Sequence, residues 1–321
     1  MKMFVTGASG YLGSAVVREL ARRGHDVTGM VHRKASADIV EEAGGTVLLG
    51  DLLTPDTWSK ELKASEVVVS LSNPIKQGER VSFPEARRRS YYHGQMVGNL
   101  FLAAQDSKVR AVLSTYGVLG FGNHGDNWVT EPDELQPVGF DRSITGAFWH
   151  IDKTSRKTRV PLINVFTGWV YGPGGWFMDM VNGIQNGSAR VVGDGGNYMS
   201  LMRIDDFAAA YCNVVEKMPL GERICLADDE PVTQMELAGI VAESLGCGRP
   251  DSINQDNHSR LAGDLAAESM CCSVRVSNAK MKKTVMPELK YPTCRTGVPE
   301  LLTDMGLYKA GPKKMAEAAG F

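Results

Sequence analysis

Along the first half of the chain, short runs of Val, Ile and Leu alternate with longer stretches whose apolar residues recur at helical spacing. MFVT (3–6), DVTGMVH (26–32), TVLLGD (46–51), EVVVSLS (66–72), VRAVLST (109–115) and PLINVFT (161–167) read as strands. Residues 11–24, 83–107 and the stretch GAFWHIDKTSRK (146–157) read as helices or helix starts. Continuous apolar strands separated by helices predict a parallel sheet covered on both faces. Right-handed crossovers then give a doubly wound α/β fold of the Rossmann type.

After Tyr171 the texture changes. YGPGGW and VVGDGGNYM are rich in glycine, and the elements between them are short. Residues 203–218 read as a helix whose acidic first turn suits the positive end of its dipole. ICLAD (224–228) resembles one more strand and 233–246 one more helix, while 252–279 is polar and shows no readable period. The expected division is a dinucleotide-binding domain over 1–171 plus 200–228, and a smaller substrate lobe from 172–199 and 229–321.

Composition narrows the classes of function. With 321 residues, 43% apolar and 22% charged, the chain has the balance of a globular protein with a sizeable core. A net charge of -2 gives no basic field for nucleic acid, and the runs Arg87, Arg88, Arg89 and Lys282, Lys283 read as solvated helix faces. The six cysteines show no metal-ligand spacing, so reduced thiols and no metal site are expected. No apolar run approaches the roughly 20 residues of a membrane helix. MKMFVTGASG carries no signal-peptide pattern, so the expected location is the cytoplasm.

The clearest chemistry lies between the first strand and the first helix, in Thr6-Gly7-Ala8-Ser9-Gly10-Tyr11-Leu12-Gly13. Glycines at 7, 10 and 13 allow a tight turn, close approach of a pyrophosphate, and close packing of helix on strand. The helix N-terminus adds free N–H groups and a positive dipole end. Strand two ends in His32-Arg33-Lys34, with no carboxylate to bind a ribose 2′-hydroxyl. That cationic cluster suits the 2′-phosphate of NADP(H), with NAD as the alternative. Asp51 and Leu52, after strand three, are placed to hold the adenine amino group and face. Leu71 and Ser72 at the end of strand four, and Thr167 at the end of strand six, complete the expected cofactor contacts.

With these residues in view, the chain resembles the extended short-chain dehydrogenase/reductase superfamily, which includes sugar-nucleotide epimerases and dehydratases. TGASGYLG is similar to its cofactor motif, GDLLTP to its adenine-side motif, and STYGVLG (114–120) to the segment after strand five. VFTGWVYGPGG, LMRIDDFAAAY and KYPTCRTGVPELL are similar to later family segments. The resemblance implies a Ser/Thr, Tyr and Lys set. Its threonine falls on Thr115, beside Ser114, and its lysine on Lys153, which would hold the nicotinamide ribose. Its tyrosine falls on Trp149, and an indole cannot serve as a proton donor.

Other groups for proton transfer are therefore Tyr116 and His150, with Asp152, Tyr91 and Tyr92 less well placed. Three readings stay open. One is an NADPH-dependent reductase acting on an activated C=O, C=C or C=N group of a small apolar or aromatic substrate. A second is a non-redox isomerase, lyase or cyclase, and a third is a catalytically silent NADP-binding sensor. Trp169, Trp176, Phe177, Tyr198 and Met199 are candidates for an aromatic pocket, and Arg203 for an anion contact or a structural ion pair. The resemblance also implies a homodimer through the helices at 83–107 and 147–158.

Overall fold

The computed structural model describes residues 1–75 and 78–309. Seven parallel strands form one sheet: β1 (Lys2–Thr6), β2 (Asp26–Val31), β3 (Thr46–Leu49), β4 (Val67–Ser70), β5 (Ala111–Gly117), β6 (Leu162–Thr167) and β7 (Arg223–Leu226). Their spatial order is β7-β6-β5-β4-β1-β2-β3, which reverses direction next to β1. In such sheets ligands bind outside the carboxyl ends of the strands at that reversal. The longer helices are α1 (Tyr11–Arg22), α2 (Phe83–Ala104), α3 (Phe148–Thr158), α4 (Gly175–Gln185), α5 (Ile204–Lys217), α6 (Gln234–Ser244) and α7 (Cys294–Asp304). Among the described residues none is long and apolar enough to cross a membrane.

Each face of the sheet carries its own core. On one side α1 and α5 pack through Val16, Val17, Leu20, Phe207 and Tyr211; on the other, α2 and α3 pack through Val97, Leu100, Phe101, Phe148 and Ile151. A third core, around Phe177, Leu237, Val241 and Val298, holds α4, α6 and α7 together as the smaller lobe. Met281 and Val285 return to the α1–α5 side of the sheet, and Cys272, Val274 and Val276 to the other. Residues 310–321 of the expected lobe lie outside the described residues.

Two departures from the sequence reading matter for the site. Strand β5 runs on to Gly117 instead of stopping at 115, because Tyr116 pairs in register with Phe166 of β6. Alternation along the strand then points Tyr116 at the α2–α3 side and Thr115 at the α5 side. The second is the stretch 252–279, which contains a strand Asp251–Ile253 at its edge and helices Gln255–Ala262 and Asp264–Cys271. The first of those helices buries none of its residues, so it carries no apolar period to read.

Candidate active site

The loop after β1 is shaped by what a side chain would strike. At Gly7, φ is +68°, and a Cβ would lie 2.5 Å from the Leu71 carbonyl carbon and 2.7 Å from the Ser72 nitrogen. A Cβ at Gly13 would lie 2.0 Å from the Gly7 oxygen, so α1 starts in direct contact with the turn. Ser72 Oγ donates to Thr6 Oγ1 at 2.9 Å, tying the ends of β4 and β1. Gly10 caps α1 with no side-chain hydrogen bond, and the first bond of the helix runs from the Ser14 N–H to the Gly10 oxygen at 2.8 Å. The N–H groups of Tyr11, Leu12 and Gly13, with Ser9 beside them, are thus left for an anion at the positive end of the helix.

The adenine end is more open. His32, Arg33 and Lys34 are exposed beyond β2, and Arg33 and Lys34 form no ion pair with a described residue. His32 Nε2 lies 3.6 Å from Asp51 Oδ2, and Asp51 Oδ1 accepts from the Leu53 N–H at 2.9 Å. Leu52, in contrast, is 3% exposed in the core beside Trp58. Its side chain cannot cover an adenine face, a correction to the sequence reading. Its carbonyl accepts from Asn99 at 2.9 Å.

Between this loop and the smaller lobe lies a cavity of about 200 Å³. Its floor is the start of α1 (Tyr11, Leu12) and the carboxyl ends of β5 (Gly117, Val118, Leu119) and β6 (Thr167, Gly168). Trp169, Val170 and Trp176 form the lobe side, and Phe140 and Asp141 close the remaining wall. The indoles of Trp169 and Trp176 meet edge to face at 5.3 Å, and Trp176 is fixed by donating Nε1–H to the Val170 oxygen at 2.8 Å. Tyr11 packs its ring on the glycine stretch 172–175, where a Cβ at Gly172 would reach its hydroxyl at 2.3 Å. The cavity is mostly apolar; the polar side chains in its lining are Tyr11, Thr167 and Asp141.

A family model described as the NAD dependent epimerase/dehydratase family matches residues 3–227. The chain belongs to that family. A 2-alkyl-3-oxoalkanoate reductase of Stenotrophomonas maltophilia is 22% identical over 274 residues, covering 78% of each chain. A 4-hydroxy-2-methyl-3-oxo-4-farnesyl-3,4-dihydroquinoline-1-oxide ketoreductase of Stigmatella aurantiaca is 25% identical over 261 residues, 77% of this chain and 74% of that one. The fold is similar to that of human epimerase family protein SDR39U1, crystallised with NADPH, at a TM-score of 0.76 and 17% identity over 95% of this chain and all of that one, a coverage of 100%.

Within this family member the expected catalytic groups are not brought together. Trp149 is 62% exposed, and His150 and Lys153 are exposed with it on the outer surface of α3. None of the three lines the cavity. The His150 ring lies against α2, where a Cβ at Gly94 would meet it at 3.2 Å. Tyr116 is sealed beneath Phe166, ring centroids 5.1 Å apart, and burial pushes its pKa up. Ser114 is buried as well, and Thr115 shares a 2.7 Å hydrogen bond with Tyr211 of α5. Tyr91 and Tyr92 are exposed on α2, and Asp152 pairs with Arg156 at 2.9 Å.

The physical reason is a shift along the chain. Two 3-10 turns, Gly139–Ser143 and Thr145–Ala147, carry the backbone past the cavity before α3 begins. The side chains presented there are Phe140 and Asp141, eight or nine positions before the tryptophan that the spacing picked out. Asp141 was missed. Its signal in the sequence is a lone carboxylate between Gly139 and Ser143, which nothing distinguishes from a turn residue. Of the proposed aromatic pocket, Trp169 and Trp176 are at the cavity, while Phe177 and Met199 belong to the lobe core and Tyr198 lies under Arg275.

Proposed function

We propose that this protein is an NADPH-dependent reductase of a small, largely apolar or aromatic substrate carrying an activated carbonyl or conjugated double bond. The observation that carries the reading is the mostly apolar cleft of about 200 Å³ at the start of α1 and the carboxyl ends of β5 and β6, beside the phosphate loop. An apolar cleft walled by two indoles suits a flat, largely apolar group better than a highly charged one. The oxo-group reductases among its relatives support the same chemistry.

When bound, the reduced cofactor supplies a hydride. The chain's own residues do the rest. The N–H groups at the start of α1 hold the pyrophosphate, and Thr6, Leu71, Ser72 and Thr167 border the path of the dinucleotide. Arg33, with Lys34 and His32 beside it, pairs with a 2′-phosphate, and Asp51 accepts from the adenine amino group. Trp169 and Trp176 exclude water and orient the substrate by stacking. No chemical role is assigned to Trp149, His150, Lys153 or Tyr116.

The test is loss of reduced-nicotinamide absorbance against a panel of aromatic ketones, 1,2-diketones and enones, with cofactor affinity measured by calorimetry. NADPH should bind at least about tenfold more tightly than NADH, a 1.4 kcal/mol preference, and Arg33→Glu should reverse the order. Equal affinity for the two cofactors in the wild type would remove the cationic cluster from the assignment.

A further inference from the structure

Among the described residues that line the cavity, Asp141 is the ionisable one besides Tyr11. Asp141 is 4% exposed and lines the cavity; the N–H groups of Gly117 and Gly120 face its carboxyl, and its buried Oδ2 closes no hydrogen bond of normal geometry with a described residue. Two contacts fix its position. On one side the turn is pinned by the helix Asp264–Cys271: the Gly139 N–H donates to Glu268 at 2.6 Å, and the Phe140 N–H to Ser269 Oγ at 3.0 Å. Gly139 has φ +55°, and a Cβ there would lie 1.9 Å from Ser269 Oγ, so only glycine lets the two segments meet. On the other side, a Cβ at Gly117 would lie 2.5 Å from Asp141 Oδ2, so β5 ends in glycine where the carboxyl needs the space.

A buried carboxyl with an unpartnered oxygen is costly unless something uses it. We propose that Asp141, protonated, is the acid that delivers a proton to the oxygen of a carbonyl bound in this cavity, taking the place of the tyrosine that this family member lacks at Trp149. The proposal rests on the reductase reading. In the balanced step the carbonyl carbon gains a hydride from a reduced nicotinamide, and its oxygen gains the Asp141 proton. The product is an alcohol with oxidised nicotinamide, and the carboxylate regains its proton from water.

The local electrostatics agree. Burial raises the Asp141 pKa to about 7, opposed in part by the N–H groups of Gly117 and Gly120 that face it. The carboxyl is therefore half protonated near pH 7 and protonated below it, where it can donate a proton. The titratable group coupled to it from the neighbouring helix is Cys272, whose own pKa burial raises to about 12. Arg142 and Glu268 pair with each other at 2.6 Å, and neither charge is spent on Asp141.

The probe is 1-phenylpropane-1,2-dione, read in two ways. Infrared titration of the NADP⁺ complex should show a protonated-carboxyl stretch that titrates near pH 7, is absent in Asp141→Asn, and moves to lower frequency when the dione is added. In turnover with NADPH, Asp141→Asn should bind NADPH within about twofold of the wild type yet reduce the dione about 100-fold more slowly. Wild-type kcat should fall as pH rises through about 7, and the variant should lose that inflection. An unshifted stretch, or a variant that reduces the dione at the wild-type rate, overturns the role of Asp141. Failure of the wild type to reduce the dione would count against the reductase reading instead, and the infrared response still decides whether Asp141 meets a carbonyl.

Discussion

At the scale of single residues, the phosphate loop separates steric from binding roles. A Cβ at Gly10 would meet only the Gly7 oxygen, at 3.2 Å, and its φ of −75° suits any residue. Gly10→Val should therefore cost less than about 1 kcal/mol in a denaturant melt while lowering NADPH affinity at least about tenfold, since its side chain fills the pyrophosphate position. Gly13→Ala should lose both, because its Cβ would lie 2.0 Å from a backbone oxygen that cannot yield. Asp141 makes a second prediction. Its pKa is about 7 when folded and 3.8 as a model value, so between those pH values the folded protein retains a proton that the unfolded chain has lost. Stability must fall as pH rises through that window, by about 3 units at about 1.4 kcal/mol each, or on the order of 4 kcal/mol. Asp141→Asn carries no charge to bury. Its melting temperature should match the wild type near pH 4 and exceed it at pH 8; a constant difference across that range would contradict the buried carboxyl.

At the scale of elements, α3 shows where sequence spacing misleads. An aromatic residue four positions before a lysine looked like a depleted catalytic pair, but the two short turns ahead of α3 put that pair on the outer surface. Trp149→Ala and Lys153→Ala should leave NADPH affinity and turnover within about twofold, the range of surface changes away from special features. A tenfold loss of cofactor affinity in Lys153→Ala would restore the ribose contact that the geometry withholds. The strands and α1 were legible because burial on both faces writes continuous apolar runs, and because glycine is demanded wherever backbones touch. Gly7 and Gly13 are such positions, and the loop could be assigned from them. What escaped depends on small offsets. Two extra residues of β5 decide that Tyr116 is sealed beneath Phe166, and turns of three and five residues decide that Asp141, not Trp149, faces the cavity. Short 3-10 turns have neither apolar period nor strong capping signals, so composition cannot place them.

At the scale of the molecule, the cavity exists only while the smaller lobe stays seated on the sheet, and Arg203 is central to that seating. Its guanidinium stacks on the Tyr291 ring at 3.6 Å from the centroid, donates to Asp205 at 2.9 Å and to Asp304 of α7 at 3.3 Å, and reaches the Gly297 carbonyl at 3.3 Å. The side chain is 5% exposed and also lies 3.9 Å from Glu300, so its charge is met by carboxylates of the protein itself. It joins the start of α5, which belongs to the sheet, to α7, which belongs to the lobe. Alongside it, Asp206 accepts from the N–H groups of Lys290 and Tyr291 at 3.0 and 2.7 Å, locking the same segment by its backbone. Removing a buried guanidinium with its stacking and hydrogen bonds costs about 3 kcal/mol. Arg203→Met should lower the melting temperature and loosen α7, seen as faster amide exchange across 294–304. NADPH should still bind to the folded variant, because the turn at Gly7 is held by the backbone of Leu71 and Ser72 after β4, and only Tyr11 of the loop meets the lobe. Binding of 1-phenylpropane-1,2-dione should weaken more than NADPH binding, since Trp169 and Trp176 reach the cavity from the lobe side. Equal loss of both ligands would mean that the lobe and the cofactor site are held by one structure rather than two.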